Sequence, residues 1–320
     1  MKKITFYDFD LELSAEKRWG PIVDVYLDYL PKLKGHLDMI LNSLGVTITV
    51  AKHFYNLTPH NNIKYYDEIN YLAKRIGLGT FEALVLQLIY ETSSACTSAV
   101  IRVHDKEFFI RTMDWPMLFL KDITIGLNIK RGYKLIGKVT TWLGYVGFLT
   151  ASNVIDNYTI SINYRRNVDI SIASLVKNLY RTLSMKWPIG YLVRDIIETS
   201  HTTSNAIKIL ENSELITPCY VTFYVPNYKT FIITRDCDKN VNTRTDQLIQ
   251  ANCDWNKTEP NILWSLERVE HVKKTENMLN QIKGDLQSRD ILKCLLRHPV
   301  INNETIYVHY QYGNEFGTYI

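Results

Sequence analysis

The chain has 320 residues, of which 46% are apolar and 22% are charged, and its formal net charge is +4. These proportions are typical of a globular protein, and they exclude a disordered chain, a collagen and a coiled-coil rod. The small positive charge is below that of a dedicated nucleic-acid binder, so we expect no nucleic-acid partner. The longest uncharged run covers the 17 residues 139–155 and includes several polar side chains, whereas a membrane-spanning helix needs about 20 apolar residues.

Cysteines are absent from residues 1–95, and no pair has the CxxC spacing of a zinc or redox site. We therefore expect no metal and no cofactor, and the pattern favours a reducing compartment. Asp8, Asp10 and Glu12 interrupt any apolar run near the start, so the sequence as written predicts no signal peptide and a cytoplasmic location.

Residues 1–95 predict mostly helices. Ser14 is a good N-cap, and apolar side chains recur at helical spacing from Ile22 to Leu30. The run from Thr80 to Glu91 predicts a capped and largely buried helix.

The pattern changes at Cys96, where a β-branched run to Val103 begins. A polar turn at 104–106 and a second run from Glu107 to Thr112 complete a predicted hairpin. Further strands are predicted at 123–130, 134–141, 157–164, 220–225, 230–234, 248–252 and 305–310, and helices at 171–181, 190–198, 203–210, 265–283 and 288–296. This order favours an α+β fold of layered antiparallel sheets, and no phosphate-binding glycine loop is present.

The predicted hairpin returns Arg111 and Asp114 to the neighbourhood of Cys96. A nearby arginine stabilises a thiolate, and a carboxylate accepts hydrogen bonds from an amine. The alternatives are a buried structural thiol and a surface salt bridge, and the spacing alone leaves them open.

Six short motifs occur in one order along the chain: Cys96-Thr-Ser, Arg111-x-x-Asp114-Trp-Pro, Gly144-Tyr-Val-Gly-Phe-Leu-Thr150, Trp187-Pro-Ile-Gly-Tyr-Leu-Val-Arg194, Ile232-Ile-Thr-Arg235 and Gln250-x-Asn252-x-Asp254. Together they resemble the family of N-acylethanolamine-hydrolysing acid amidase and acid ceramidase, which are N-terminal-nucleophile cysteine hydrolases of the cholylglycine-hydrolase type. The resemblance implies a four-layer αββα sandwich of antiparallel sheets with an N-terminal helical segment.

The resemblance also implies a self-cleaving precursor. The cut would fall between Ala95 and Cys96, giving a helical α fragment of residues 1–95 and a catalytic β fragment of residues 96–320 that stay together. The new N-terminal Cys96 would supply a thiol nucleophile and an α-amine with a pKa of about 8 as general base. Attack on an amide carbonyl would form an acyl-enzyme, and water would release the fatty acid.

Four further residues receive catalytic roles from the resemblance. Arg111 would lower the pKa of the Cys96 thiol, and Asp114 would orient the α-amine. Asn252 would donate its amide to the oxyanion, and Arg268, in a loosely matched segment, would lie near the site.

Trp115, Tyr145 and Thr150 would line the substrate site according to the same resemblance. For Tyr145 a place in a strand core beside a glycine turn is an equally good interpretation.

The chain departs from the family pattern at three places. Thr112 stands where the family commonly has Asn, and Trp255 stands where it has His. No acidic residue occurs between Ser171 and Arg181, where family members usually place a Glu on a helix. The missing Glu and Thr112 motivate an alternative hypothesis, an uncleaved lipid-binding protein without activity.

The favoured substrate is a lipid N-acylethanolamine, because the chain lacks the insertion that follows the Arg-x-x-Asp motif in ceramidases; ceramide is the alternative. A bile-salt or penicillin hydrolase is disfavoured, since about 95 residues precede Cys96. The helices of residues 22–50 are a candidate membrane-surface contact, although packing on the β fragment explains most of their residues. The animal family members suggest a lysosomal or secreted location as the alternative to a cytoplasmic one.

Overall fold

The structure is a computed structural model, and it describes residues 2–43, 52, 55–56, 63–91, 94–165, 181, 186–199, 202–254, 261–313 and 315–320. Within these residues the strands form an eight-stranded sheet, the large sheet, and a five-stranded sheet, the small sheet.

The large sheet has the strand order β1 (Phe6–Asp10), β4 (Thr124–Arg131), β5 (Lys134–Trp142), β6 (Thr150–Asn153), β7 (Tyr158–Tyr164), β8 (Cys219–Tyr224), β9 (Phe231–Arg235) and β10 (Asn240–Arg244). The small sheet has the order β11 (Ile249–Gln250), β2 (Ala95–Val103), β3 (Lys106–Asp114), β12 (Thr305–Tyr312) and β13 (Glu315–Tyr319).

Helices cover the outer face of each sheet. The core of the large sheet includes side chains of α1 (Ala15–Val25), α2 (Leu30–Ser43), α3 (Tyr66–Ile76), α4 (Thr80–Gln87), α5 (Ile189–Thr199) and α6 (Thr203–Asn212). The small sheet packs against α7 (Ser265–Gln281) and α8 (Ser288–Leu295). Short 3-10 turns lie at Leu27–Tyr29, Ile89–Glu91, Leu118–Lys121 and Ile262–Trp264. In the described part of the chain, no helix has the length and apolar character needed to cross a membrane.

The inner faces of the two sheets pack directly against each other. Phe109 of β3 stacks on Tyr224 of β8 with ring centroids 5.3 Å apart. Ser98 of β2 donates a hydrogen bond to Asn163 of β7 at 2.6 Å. With helices outside both sheets, this arrangement confirms the predicted α+β, four-layer αββα sandwich.

The first strand, β1, was not expected from the sequence. β1 belongs to the segment predicted as mostly helical, and it pairs with β4 in parallel, so the expectation of purely antiparallel sheets was wrong at this edge. The ring of Phe6 lies over Gly126, where an added Cβ would be only 2.5 Å from it. A five-residue edge strand gives little periodic signal, and its partner is about 120 residues away in sequence.

The central hairpin was predicted correctly. β2 and β3 pair in antiparallel register, with Cys96 opposite Met113 and Ser98 opposite Arg111. His104 occupies the turn with a positive φ of 54°, which polar residues tolerate in tight turns.

Other predictions needed smaller corrections. Strands β6, β10 and β13 were not predicted, and the helix expected from Thr80 to Glu91 ends at Gln87 and continues as a 3-10 turn. Thr80 is the first helical residue, and the N-cap, Gly79, makes no side-chain capping bond. The predicted N-cap at Ser14 is confirmed, since its hydroxyl accepts from the Lys17 N–H. The predicted helix at 171–181 lies outside the described residues except for Arg181.

Residues on the two sides of position 95 share one core. Glu68 of α3 and Arg194 of α5 form an ion pair of 2.7 Å with both side chains buried. The Trp19 indole N–H also donates to Glu68, at 2.6 Å. The predicted α fragment is therefore joined to the rest of the fold by packing and by buried polar contacts.

Candidate active site

Cys96 lies near the start of β2 with no exposed surface. Its Sγ is 3.3 Å from Nη2 of Arg111 and 3.4 Å from Sδ of Met113. The register explains this contact: Cys96 and Arg111 lie diagonally across two adjacent strands on one face, a separation that a long side chain spans.

Arg111 is completely buried and has no carboxylate among its hydrogen-bond acceptors in the described residues. Its Nη2 donates to the Ile162 carbonyl at 3.1 Å, and the guanidinium lies over the Tyr307 ring at 4.9 Å. Nε and Nη1 find no acceptor in the described part of the protein. A buried guanidinium of this kind favours an anion beside it, and the Cys96 sulfur is the neighbouring group able to carry that charge.

The thiol of Cys96 is held between opposing influences. Burial raises its pKa, the guanidinium of Arg111 lowers it, the carboxylate of Asp114 raises it and Arg268 lowers it. The net direction is upward in this structure. Because Cys96 is buried, its thiolate form must be stabilised by the charges of these neighbours rather than by water.

Asp114 ends β3 directly opposite Ala95, the residue before Cys96. Its carboxylate accepts from the Thr305 hydroxyl at 2.6 Å and from Nη1 of Arg268 at 3.2 Å. Burial raises its pKa to about 6, against the opposing effect of Arg268.

Asn252 reaches the nucleophile from the segment after β11. Its Oδ1 accepts the backbone N–H of Cys96 at 2.7 Å. Its Nδ2 donates to the carbonyls of Tyr164, at 2.7 Å, and Ser94, at 3.4 Å. The resemblance assigns the orientation of the future α-amine to Asp114; in the intact chain the backbone nitrogen of Cys96 bonds to Asn252.

Arg268 projects from α7, which packs on β2. Its Nη1 donates to the Cys96 carbonyl at 2.8 Å and to the Thr97 hydroxyl at 3.0 Å, and its Nη2 donates to Oδ1 of Asn252 at 3.1 Å. Burial lowers its pKa and the charge of Asp114 raises it. The fold thus brings Arg268 into the same cluster as Cys96, Asp114 and Asn252, as the sequence predicted.

The three predicted substrate-lining residues take different positions. Trp115 and Tyr145 border an apolar cavity that lies between α2, α3, α4 and the large sheet. Other lining side chains are Leu33, Leu37, Ile76, Tyr90 and Trp142. Thr150 does not line this cavity, and its hydroxyl instead bonds to the Tyr307 hydroxyl at 3.0 Å.

Several neighbours of the nucleophile were not found from the sequence. Met113 follows from the strand register, since it stands opposite Cys96. Tyr307 and Thr305 lie on β12, more than 200 residues after Ala95, and no local pattern joins them to it. Tyr90 precedes the nucleophile in an apolar run that reads simply as helix core.

Glu91 is a second buried carboxylic acid just before the nucleophile. It accepts from the Ile189 N–H at 3.0 Å and from the Thr217 hydroxyl. Burial raises its pKa to about 7. Among the described residues, no cluster of three His, Cys, Asp or Glu side chains is arranged to hold a metal ion.

The sequence was compared with known proteins. No family model matches the chain. An uncharacterized protein, R632, from Acanthamoeba polyphaga mimivirus is 45% identical over 310 residues, covering 96% of both chains. Acid ceramidase from Mus musculus is 22% identical over 95% of this chain and 82% of its own length. Acid ceramidase from Bos taurus is 22% identical over 68% of this chain, which spans 59% of that protein.

A solved structure has the same fold. The Caenorhabditis elegans orthologue of N-acylethanolamine-hydrolyzing acid amidase superposes with a TM-score of 0.56 at 20% identity, over 68% of this chain and 92% of that one. The chain thus belongs to one family with the mimivirus protein R632, and it is homologous to the acid ceramidases and N-acylethanolamine-hydrolysing acid amidases, cysteine hydrolases of the N-terminal-nucleophile type.

Proposed function

We propose that the protein cleaves itself between Ala95 and Cys96 and then hydrolyses the amide bond of a lipid N-acyl amide. The observation that carries this proposal is the placement of Cys96, whose sulfur lies 3.3 Å from Arg111 and whose nitrogen lies 2.7 Å from Asn252. A nucleophile and a prospective general base on one residue, each with its own polar partner, suit nucleophilic acyl transfer.

Arg111 stabilises the attacking thiolate. Its guanidinium is buried against the sulfur, where an ion pair is strong because water does not screen it. After the cut, the α-amine of Cys96 stays within reach of Oδ1 of Asn252 and takes the thiol proton, then returns it to the leaving amine. The carboxylate of Asp114, opposite Ala95, adds negative charge that keeps the protonated amine in place.

The oxyanion donor becomes available through the cut itself. In the intact chain, Nδ2 of Asn252 is within 3.4 Å of the Ser94 carbonyl, which belongs to the α fragment. Cleavage after Ala95 lets this chain end move away. Nδ2 is then free to donate to the carbonyl oxygen of a substrate bound at Cys96, a contact often worth about 3 kcal/mol in the transition state.

The apolar cavity suits the acyl chain of the substrate. Trp115 and Tyr145 border it, and its other walls are mostly aliphatic. An acyl tail gains free energy there by leaving water. Our first choice of substrate is an N-acylethanolamine, because the chain lacks the insertion of ceramidases; ceramide is the alternative, and the sequence relatives with that name support it.

We propose that the surface formed by α2 and the preceding 3-10 turn Leu27–Tyr29 contacts the lipid bilayer that holds such substrates. Leu27 and Met39 are exposed, by 52% and 70%, and Lys32 lies on the same segment. Apolar side chains beside lysines bind anionic membrane surfaces. Sedimentation with vesicles of anionic and of neutral lipids tests this proposal: binding to anionic vesicles that is lost in Met39→Glu supports it, and equal behaviour of the two proteins contradicts it.

The experiment for the activity combines mass and turnover. Intact-mass measurement after incubation at pH 5 and pH 7.5 detects fragments of residues 1–95 and 96–320. Hydrolysis is then followed on a panel of N-acylethanolamines, ceramides and bile-salt conjugates, with Cys96→Ala as the control. Fragments together with N-acylethanolamine turnover that Cys96→Ala lacks support the proposal, and equal turnover by Cys96→Ala contradicts it.

A second candidate function is lipid binding without cleavage. It is favoured by the burial of Cys96, which raises the pKa of its thiol. A single uncleaved chain at both pH values that binds acyl amides without hydrolysing them supports this candidate.

A further inference from the structure

Tyr90 lies beside the nucleophile although it precedes it by six residues, on the other side of the proposed cut. It stands in the 3-10 turn Ile89–Glu91 and is only 2% exposed. Its ring meets Trp115 edge-on, with centroids 6.2 Å apart, and borders the apolar cavity. The side chain therefore lies between the cavity and the start of β2.

The hydroxyl of Tyr90 shares an acceptor with the arginine of the site. Tyr90 donates to the Ile162 carbonyl at 3.1 Å, and Nη2 of Arg111 donates to the same oxygen at 3.1 Å. That Nη2 is also 3.3 Å from the sulfur of Cys96. Two donors thus converge on one carbonyl next to the nucleophile.

The hydroxyl of Tyr90 also affects the pKa of the Cys96 thiol. Burial raises the pKa of Cys96, and a hydrogen bond from Tyr90 acts in the opposite direction, after the larger effects of Arg111, Asp114 and Arg268. Burial and the neighbouring Cys96 raise the pKa of Tyr90 itself well above its usual value, so the phenol keeps its proton. A neutral phenol beside a sulfur is a hydrogen-bond donor that favours the thiolate.

We infer that Tyr90 is a positioning residue of this site, supplied by the α fragment, whose hydroxyl stabilises the Cys96 thiolate and whose ring borders the acyl cavity beside Trp115. The inference rests on the proposed function, since it assigns a role within the same reaction. The hydroxyl proton turns to the Ile162 carbonyl while the sulfur is protonated and towards the sulfur once it is ionised. The α fragment then remains a necessary part of the catalytic site after cleavage.

The test replaces only the hydroxyl, with Tyr90→Phe. The matched control is Tyr158→Phe, which removes the hydroxyl of another buried tyrosine, one that bonds to Asn153 and lies at the start of β7, four residues before Ile162. For both variants and the unaltered protein, iodoacetamide alkylation of Cys96 is measured by mass spectrometry of its peptide between pH 5 and pH 10. Self-cleavage and amide turnover are followed over the same range.

We expect Tyr90→Phe to raise the apparent pKa of Cys96 alkylation by about one pH unit and to lower kcat/KM about tenfold. Tyr158→Phe should leave both unchanged. In the proposed reaction the same thiol performs self-cleavage. If a variant cleaves too slowly to yield mature enzyme for turnover measurements, the pH dependence of its cleavage rate is compared instead.

Two results overturn the inference: an unchanged alkylation profile in Tyr90→Phe, or an equal shift in Tyr158→Phe. A failure of the proposed function looks different, because the unaltered protein then shows no cleavage and no turnover.

Discussion

The backbone N–H of Cys96 donates to Oδ1 of Asn252 at 2.7 Å, across 156 positions of sequence. This bond holds the nitrogen that is to become the α-amine before any cleavage takes place. The other end of the Asn252 amide donates to the Tyr164 carbonyl at 2.7 Å, which fixes the orientation of the group. A preorganised partner of this kind costs no rearrangement at the moment of reaction.

Asn252→Ala is therefore expected to lose both activities. Without Oδ1 the nitrogen of Cys96 loses its acceptor, and without Nδ2 the oxyanion loses its donor, which typically costs a factor of about 100 to 1,000 in rate. Gel and intact-mass analysis measure cleavage, and amide turnover measures hydrolysis. Asn280→Ala, at an exposed position of α7, is the control, and normal cleavage with normal turnover in Asn252→Ala would refute the assignment.

Arg111→Met is expected to abolish turnover while leaving the fold intact. The guanidinium is buried with two nitrogens that lack acceptors in the described residues, and replacing a poorly compensated buried charge with an apolar side chain of similar length is often neutral or stabilising. We expect a free energy of unfolding equal to or above that of the unaltered protein. We also expect a higher apparent pKa for the alkylation of Cys96. Urea denaturation and alkylation kinetics measure the two effects. Retained turnover would show that the thiolate does not need this charge.

The sequence predicted the hairpin and the chemical cluster because both are encoded locally. β-branched residues from Cys96 to Val103 and the polar turn at 104–106 define the hairpin, and the short Arg111-x-x-Asp114 spacing then places two charged groups near the thiol. The contacts of Asn252 and Arg268 were predicted only through the family resemblance. Their approach depends on how β11 and α7 pack on β2, which no local pattern encodes.

The remaining features depend on tertiary contacts between distant segments. β1 is short and finds its partner, β4, only in the folded chain. Tyr90 looked like one more apolar residue of a buried helix, and its role emerges only when the Ile162 carbonyl is brought beside it. Thr150, which the resemblance places at the substrate site, contacts Tyr307, which approaches from β12.

The ion pair between Glu68 and Arg194 is expected to keep the two fragments associated after cleavage. Both side chains are buried, 2.7 Å apart, and removing one partner of a buried pair typically costs about 3–5 kcal/mol because the other charge is left uncompensated. Glu68→Ala should therefore let the fragments separate on size-exclusion chromatography at low denaturant. Asp38→Ala, which removes a half-exposed ion pair with Lys34, is the control, since exposed pairs contribute about 0–1 kcal/mol. Fragments that remain together in Glu68→Ala as firmly as in Asp38→Ala would contradict this expectation.

Glu91 is expected to make the folded state more stable in acid. Burial raises its pKa from 4.5 to about 7, so between these values the folded protein binds a proton that the unfolded chain releases. Stability from this group is therefore full below about pH 4.5 and falls as the pH rises towards 7, by an amount on the order of 3 kcal/mol. Glu91→Gln keeps an acceptor for the Ile189 N–H and cannot ionise, so its unfolding free energy should lack this decline. Denaturant unfolding at pH 4.5, 6 and 7.5 measures the slope, with Glu270→Gln, at an exposed position of α7, as the control. If Glu91→Gln and the unaltered protein lose stability in parallel over this range, the decline arises from another group.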